Sequence, residues 1–241
     1  MMKKVLIAAL MGILLLTAGQ TIAQDGVTQG TAKASIDTVA YQRHLNVYYN
    51  ALRYNDYPVA RMSLYQMMAV NPNNLSLADT LAYLYIEQNQ FSSSLILSND
   101  ILSVAPDDEF AIEVSAFSYE QLGFRKEALE RYETLHLKTS RVDILYKIAF
   151  LQFQLARYEE ANVSATTLIE DEQTTGLTVQ FPVNQGQSVL DVPMPASLHN
   201  LLGLIAKQKG DKETAVAEFE KALELFPDFT VAQKNLAEVQ N

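Results

Sequence analysis

Residues 196–229 read ASLHNLLGLIAKQKGDKETAVAEFEKALELFPDF. Counted from Ala196, residues Gly203, Gly210, Ala215, Phe219, Ala222 and Pro227 fall at positions 8, 15, 20, 24, 27 and 32 of a 34-residue frame. The same frame laid upstream finds four weaker copies, starting at Tyr41, Leu75, Glu109 and Val142. Position 20 then reads Ala60, Ser94, Ala128, Ala161 and Ala215, small in every copy. Position 8 reads Tyr48, Ala82, Ala116, Ala149 and Gly203, small in all but the first. Two helices approach closely only where the facing side chains are small, which gives both positions a packing role. Tyr48 departs from the rule at the one copy with no predecessor to pack against.

Punctuation agrees with the frame. Pro72 and Pro106 stand at position 32 of the first two copies, followed by Asn73-Asn74 and Asp107-Asp108. A proline stops one helix and a side-chain oxygen caps the next. Gly123, Ala128 and Tyr132 mark the third copy, and ARYEEA at 156–161 marks the fourth. This pattern resembles the tetratricopeptide repeat, an antiparallel helix pair. The resemblance runs over residues 41–241 and is firmest in the third and fifth copies. It implies an all-α fold: a right-handed α-solenoid of about five helix pairs, near 41–74, 75–108, 109–141, 142–175 and 196–229. Residues 230–241 are expected to form a polar capping helix, which solenoids need for solubility.

The starts at 41, 75, 109, 142 and 196 leave residues 176–195, GLTVQFPVNQGQSVLDVPMP, as a surplus between the fourth and fifth copies. Alternation of apolar and polar residues predicts a β-hairpin insertion there. A turn at Gln185-Gly186 pairs Val183 with Ser188, Phe181 with Leu190, Val179 with Val192 and Leu177 with Met194. Leu177, Val179, Phe181, Leu190, Val192 and Met194 then share one apolar face. A lone hairpin is marginal in water, so that face needs cover. It packs on neighbouring helices as a wedge, overhangs and shapes a ligand groove, or mediates self-association. Prolines on both strands remove ladder donors and blunt the edges against β-augmentation.

At the N-terminus MMKK precedes an apolar run from Val5 to Leu16 and a stretch ending Thr21-Ile22-Ala23. That order predicts a secretory signal peptide over residues 1–23, a flexible linker over 24–40, and a periplasmic location, with release outside as the second choice. The run is shorter than the roughly 20 residues that span a bilayer, so no membrane anchor is expected after cleavage. The chain has no cysteine, which excludes disulfides and thiolate metal sites. The formal net charge is -10, or -12 without Lys3 and Lys4, which argues against a nucleic-acid partner.

In the family, positions 2, 5, 9, 12 and 13 of each first helix line the concave surface. Position 9 here is Tyr49, Tyr83, Phe117, Phe150 and Leu204; position 5 is Leu45, Asp79, Glu113, Tyr146 and Asn200. Glu87, Glu120 and Asp143 add acid from positions 13, 12 and 2. The resemblance thus implies an aromatic, acidic peptide-binding groove built on Tyr49, Asp79, Tyr83, Glu113, Phe117, Tyr146 and Phe150. It departs from the carboxylate-clamp type, which has lysine at position 5 and asparagine at position 9, and so from recognition of acidic C-terminal tails.

The three histidines, His44, His136 and His199, are scattered, and the sequence holds no glycine-rich phosphate loop, nucleophile elbow or paired metal-ligand motif. No enzyme activity, cofactor or metal is expected. The expected function is a protein-interaction scaffold binding an extended peptide or partner protein. The alternative is an oligomerising structural component of a cell-envelope assembly.

Overall fold

The computed structural model describes residues 37–183 and 188–241. The signal-like residues 1–23, linker residues 24–36 and the turn expected at Gln185-Gly186 lie outside the described residues. The chain divides into two compact units, Met1–Glu87 and Gln88–Asn241.

The first unit contains α1 (Thr38–Arg53), α2 (Tyr57–Val70) and α3 (Leu75–Glu87). The linker was expected to reach residue 40, yet α1 begins at Thr38. Asp37 is the reason: its Oδ1 accepts the Ala40 backbone N–H at 2.9 Å, satisfying a donor the helix leaves open. Asp56 caps α2 in the same way through Val59 N–H. Helix α2 packs between α1 and α3, burying Ala60, Leu64 and Met67 of its own and Leu77, Leu81 and Leu84 of α3.

The second unit runs α4 (Phe91–Val104), α5 (Glu109–Leu122), α6 (Arg125–Thr139), α7 (Val142–Gln154), α8 (Tyr158–Glu170), a 3-10 turn at Glu172–Thr174, β1 (Thr178–Val183), β2 (Ser188–Pro193), α9 (Met194–Gln208), α10 (Lys212–Leu225) and α11 (Thr230–Gln240). From α4 onward each helix packs on the next. The fold is all-α apart from the inserted hairpin.

The backbone repeats the frame independently of side-chain type. Between the two helices of each pair one residue takes the left-handed conformation: Asn55, Asn89, Gly123, Ala156 and Gly210, every one at position 15. Glycine adopts that conformation freely and asparagine tolerates it, whereas a β-carbon without a compensating side-chain hydrogen bond is strained there. Ala156, at φ 57°, carries the strain alone. Ala156→Gly is expected to raise the unfolding free energy by about 0.5–1 kcal/mol, the relief of that strain less the greater freedom of glycine in the unfolded chain. Urea denaturation should show a higher midpoint, and an unchanged or lower one would mean that the turn is unstrained.

In the fifth pair the close approach that position 8 permits can be measured. A β-carbon built on Gly203 would lie 2.5 Å from the fully buried ring of Phe219 at position 24. Glycine is therefore a steric requirement of α9 against α10.

The hairpin has the expected register: Val179 pairs with Val192, Phe181 with Leu190, and Val183 with Ser188. The fourth expected pair differs. Met194 is the first residue of α9 and donates its N–H to Leu177 O at 2.8 Å, and no strand continues to these two residues. Pro195 explains the early helix start, since proline in the first turn lacks only an N–H that would be unsatisfied and brings a helical φ. Helix α9 therefore begins inside what was expected to be the insertion.

Apolar hairpin residues pack on the chain itself. Val192 is fully buried with Ala196 of α9, Ala222 of α10, and Phe229 and Ala232 at the start of α11; Val179, Phe181 and Leu190 pack around that cluster. Phe181 meets Phe229 edge to face, with ring centroids 4.9 Å apart. Met194 is buried, and Leu177 remains partly exposed.

Candidate functional site

The candidate groove residues fall in both units, and each group stands by itself. In the first unit Tyr49 of α1 is 54% exposed and meets the Tyr48 ring edge to face at 5.4 Å. Asp79 and Tyr83 are one turn apart on α3 and half-buried. Burial raises the Tyr83 phenol well above its usual value, and the nearby Glu87 carboxylate adds to the shift.

In the second unit α5 carries Glu113, Phe117 and Glu120 at helical spacing, and α7 carries Asp143, Tyr146 and Phe150. Two cations join them. Arg141, in the turn before α7, donates from Nη1 to Glu113 Oε2 at 2.6 Å and from Nη2 to Glu113 Oε1 at 3.2 Å. The same guanidinium reaches Asp143 through Nε at 3.1 Å and Nη2 at 2.6 Å. This fork-to-fork geometry ties α5 to the start of α7. Lys147 Nζ lies 3.3 Å from Glu120 Oε2, 5.7 Å from the Phe117 ring centroid and 5.2 Å from that of Tyr132. Tyr132 Oη donates to Glu120 Oε2 at 2.8 Å. Burial, then the Glu120 charge, push the Tyr132 phenol far up, so it stays a neutral donor.

The aromatic candidates are half-buried. Phe117 meets Phe91 edge to face at 6.0 Å, and Tyr146 tilts against Phe150 at 4.7 Å. The hydroxyls of Tyr146 and Ser197 of α9 are 2.6 Å apart, and burial raises the Tyr146 phenol. At α9 the face changes character. Asn200 is buried and accepts from Asn235 Nδ2 of α11 at 2.8 Å, and position 9 is the aliphatic Leu204.

Sequence reasoning placed the acids and missed both cations. Arg141 is the last residue of the shortened third repeat and Lys147 stands at position 6, outside the positions that define the concave surface. Their charge signs were visible in the sequence; their partners, 28 and 27 residues away, were not.

One histidine does meet a carboxylate. His199 Nδ1 of α9 lies 2.7 Å from Glu218 Oε2 of α10, and Lys221 Nζ lies 2.6 Å from Glu218 Oε1. Burial pushes the Glu218 carboxyl up, but the hydrogen bonds from His199 and Lys221 outweigh it and hold the group below the usual carboxylate range. All three belong to the last helix pair and form a polar cluster. Glu218 also borders a recess of about 260 Å³ lined by Thr166, Leu202, Ile205, Lys209 and Thr214, which includes none of the groove candidates. Among the described residues no group of three or more histidines and carboxylates could hold a metal ion, and no helix is long and apolar enough to cross a membrane.

Residues 196–229 match the family model of the tetratricopeptide repeat. The fold is similar to that of a tetratricopeptide repeat protein from Parabacteroides merdae, 22% identical, with a TM-score of 0.64 over 83% of this chain and 72% of that one. The chain has the tetratricopeptide-repeat fold. Other solved structures resemble it with less sequence in common. MamA from Desulfovibrio magneticus is 14% identical, with a TM-score of 0.62 over 79% of this chain and 97% of that one. YrrB, a tetratricopeptide-repeat protein with an unusual peptide-binding site, is 11% identical, with a TM-score of 0.64 over 82% and 92%. No curated protein matches by sequence.

Proposed function

We propose that the chain is an exported, periplasmic scaffold that binds an extended segment of a partner protein. The observation that carries this reading is the face built by α5 and α7, where half-buried Phe117 lies against Lys147 beside the ion pairs of Glu113, Glu120, Asp143 and Arg141, and half-buried Phe150 tilts against Tyr146. Rings of this size supply contact area at little conformational cost, and the charges around them set register and partner choice. Three carboxylates against two cations leave the face negative by one charge, which suits a segment with apolar side chains and a basic group. Tyr49, Asp79 and Tyr83 serve the same kind of contact in the first unit. The hairpin supports the face from one end, since Val179 packs with the cluster that contains Tyr146 and Phe150. The peptide-binding site of the similarly folded YrrB supports the mode of recognition, and the order of residue types over positions 1–23 supports export.

A peptide-display selection on the chain, followed by calorimetric titration of the selected peptide, tests the proposal. Phe117→Ala with Phe150→Ala should weaken binding by about tenfold or more while helicity is kept. Selected peptides that bind the double variant as tightly as the parent would refute it.

A further inference from the structure

The frame allows one helix face to be compared across all five repeats. Positions 3, 7 and 10 of the first helix in a pair turn toward the second helix of the pair before. In α3 they are Leu77, Leu81 and Leu84, in α5 Ala111, Ser115 and Ser118, and in α7 Ile144, Ile148 and Leu151, all buried. In α9 Leu198 and Ile205 are buried and Leu202 half-buried. Helix α1 has Arg43, Val47 and Asn50 there, all exposed, because no described helix precedes it. The exposed stripe extends to Val39 and Tyr54, so that residues 39, 43, 47, 50 and 54 keep a spacing of three and four along about 22 Å of helix. Val39 is 69% exposed, Val47 40% and Tyr54 73%.

This face also has its own charge. Helix α1 contains Arg43 and Arg53 and no carboxylate, in a chain whose formal net charge is -10. Neither arginine forms an ion pair among the described residues. The Arg53 guanidinium lies 5.9 Å from the Tyr54 ring centroid. Apolar side chains at helical spacing between unpaired cations form a seat for a helix whose apolar stripe is flanked by acid.

We propose that the outer face of α1 docks an acidic amphipathic helix of a partner protein, seated as the second helix of a preceding repeat would be. The surface shares no residue with the α5–α7 face, so either proposal can fail without the other.

The chain supplies its own probe. Helix α8 carries Glu159, Glu160 and Glu170 and no basic residue, and its Ala161, Ala165 and Leu168 cluster with Leu198 and Ile205, at positions 3 and 10 of α9. A free peptide of this length is only marginally helical in water. A hydrocarbon staple between the exposed positions 163 and 167 corrects that. Fluorescence anisotropy of the labelled, stapled Tyr158–Glu170 peptide against the full chain should show saturable binding that weakens with salt. Arg43→Glu with Val47→Asp, both at exposed positions and so neutral to folding by circular dichroism, should weaken it by about tenfold or more. Glu159→Lys with Glu160→Lys in the peptide should restore binding to an Arg53→Glu chain, because Glu159 meets Lys209 at position 14 of α9, next to the position that Arg53 holds in α1. No binding to the parent at about 1 mM peptide, or equal binding to the double variant, overturns the proposal. So does concentration-dependent self-association that the double variant loses, which would make a second copy the occupant.

Discussion

Phe229→Ala is expected to cost about 3–5 kcal/mol, the range for removing a buried phenylalanine from a close-packed site. The ring is fully buried and stands at the centre of the cluster that joins the hairpin to α9, α10 and α11. Two losses coincide there. The cavity removes contacts from Val192, Ala222 and Ala232, and the edge-to-face partner of Phe181 disappears. An isolated two-stranded hairpin is barely stable, so β1 and β2 should open once this anchor is gone. Hydrogen exchange of the strand amides distinguishes the outcomes. Protection lost from β1, β2 and α11 while α5 to α7 keep theirs would show that the hairpin is held by this contact. Protection unchanged in the strands would mean that other packing suffices.

Gly203→Ala offers a test by sign. In a helix interior the substitution ordinarily stabilises by about 1 kcal/mol, because alanine loses less backbone freedom on folding. Here the added carbon would lie 2.5 Å from the Phe219 ring, which is fully buried in a close-packed interior. Overpacking of this kind costs about 1–3 kcal/mol, so a net loss is expected. Phe219→Leu in the same chain should recover part of it, and a double-mutant cycle by urea denaturation measures the coupling directly. A stabilising Gly203→Ala would show that α9 and α10 can separate without cost.

The repeat frame was legible because each of its signals is local. Small residues at positions 8 and 20, the prolines at position 32 and the capping carboxylates act within one or two turns of their own helix. The structure adds a backbone signature at position 15 that side-chain identity concealed, since Asn55, Asn89, Ala156 and the two glycines share one conformation but not one residue type. The hairpin was legible for the same reason, its register following from alternation about a central turn. Only its last pair differed, where Pro195 favoured the first turn of a helix over another strand residue.

The candidate face was legible in part. Helical spacing alone puts Glu113, Phe117 and Glu120 on one side of α5. It does not say that Arg141 bridges Glu113 and Asp143, or that Lys147 sits between Glu120 and two aromatic rings. The histidines are scattered in the sequence, and the contact of His199 with Glu218 crosses from one helix of a pair to the other. Such contacts depend on the distance between helix axes and on rotamers, neither of which has a period in the chain.

The sequence by itself therefore determined the repeat length, the helix pairs, the place of the insertion and the pairing of its strands, because short-range periodicity and backbone preference decide these. Only the tertiary structure decided what covers the hairpin, which charges neutralise one another and which helix face is left without a neighbour, because burial is a property of several segments at once.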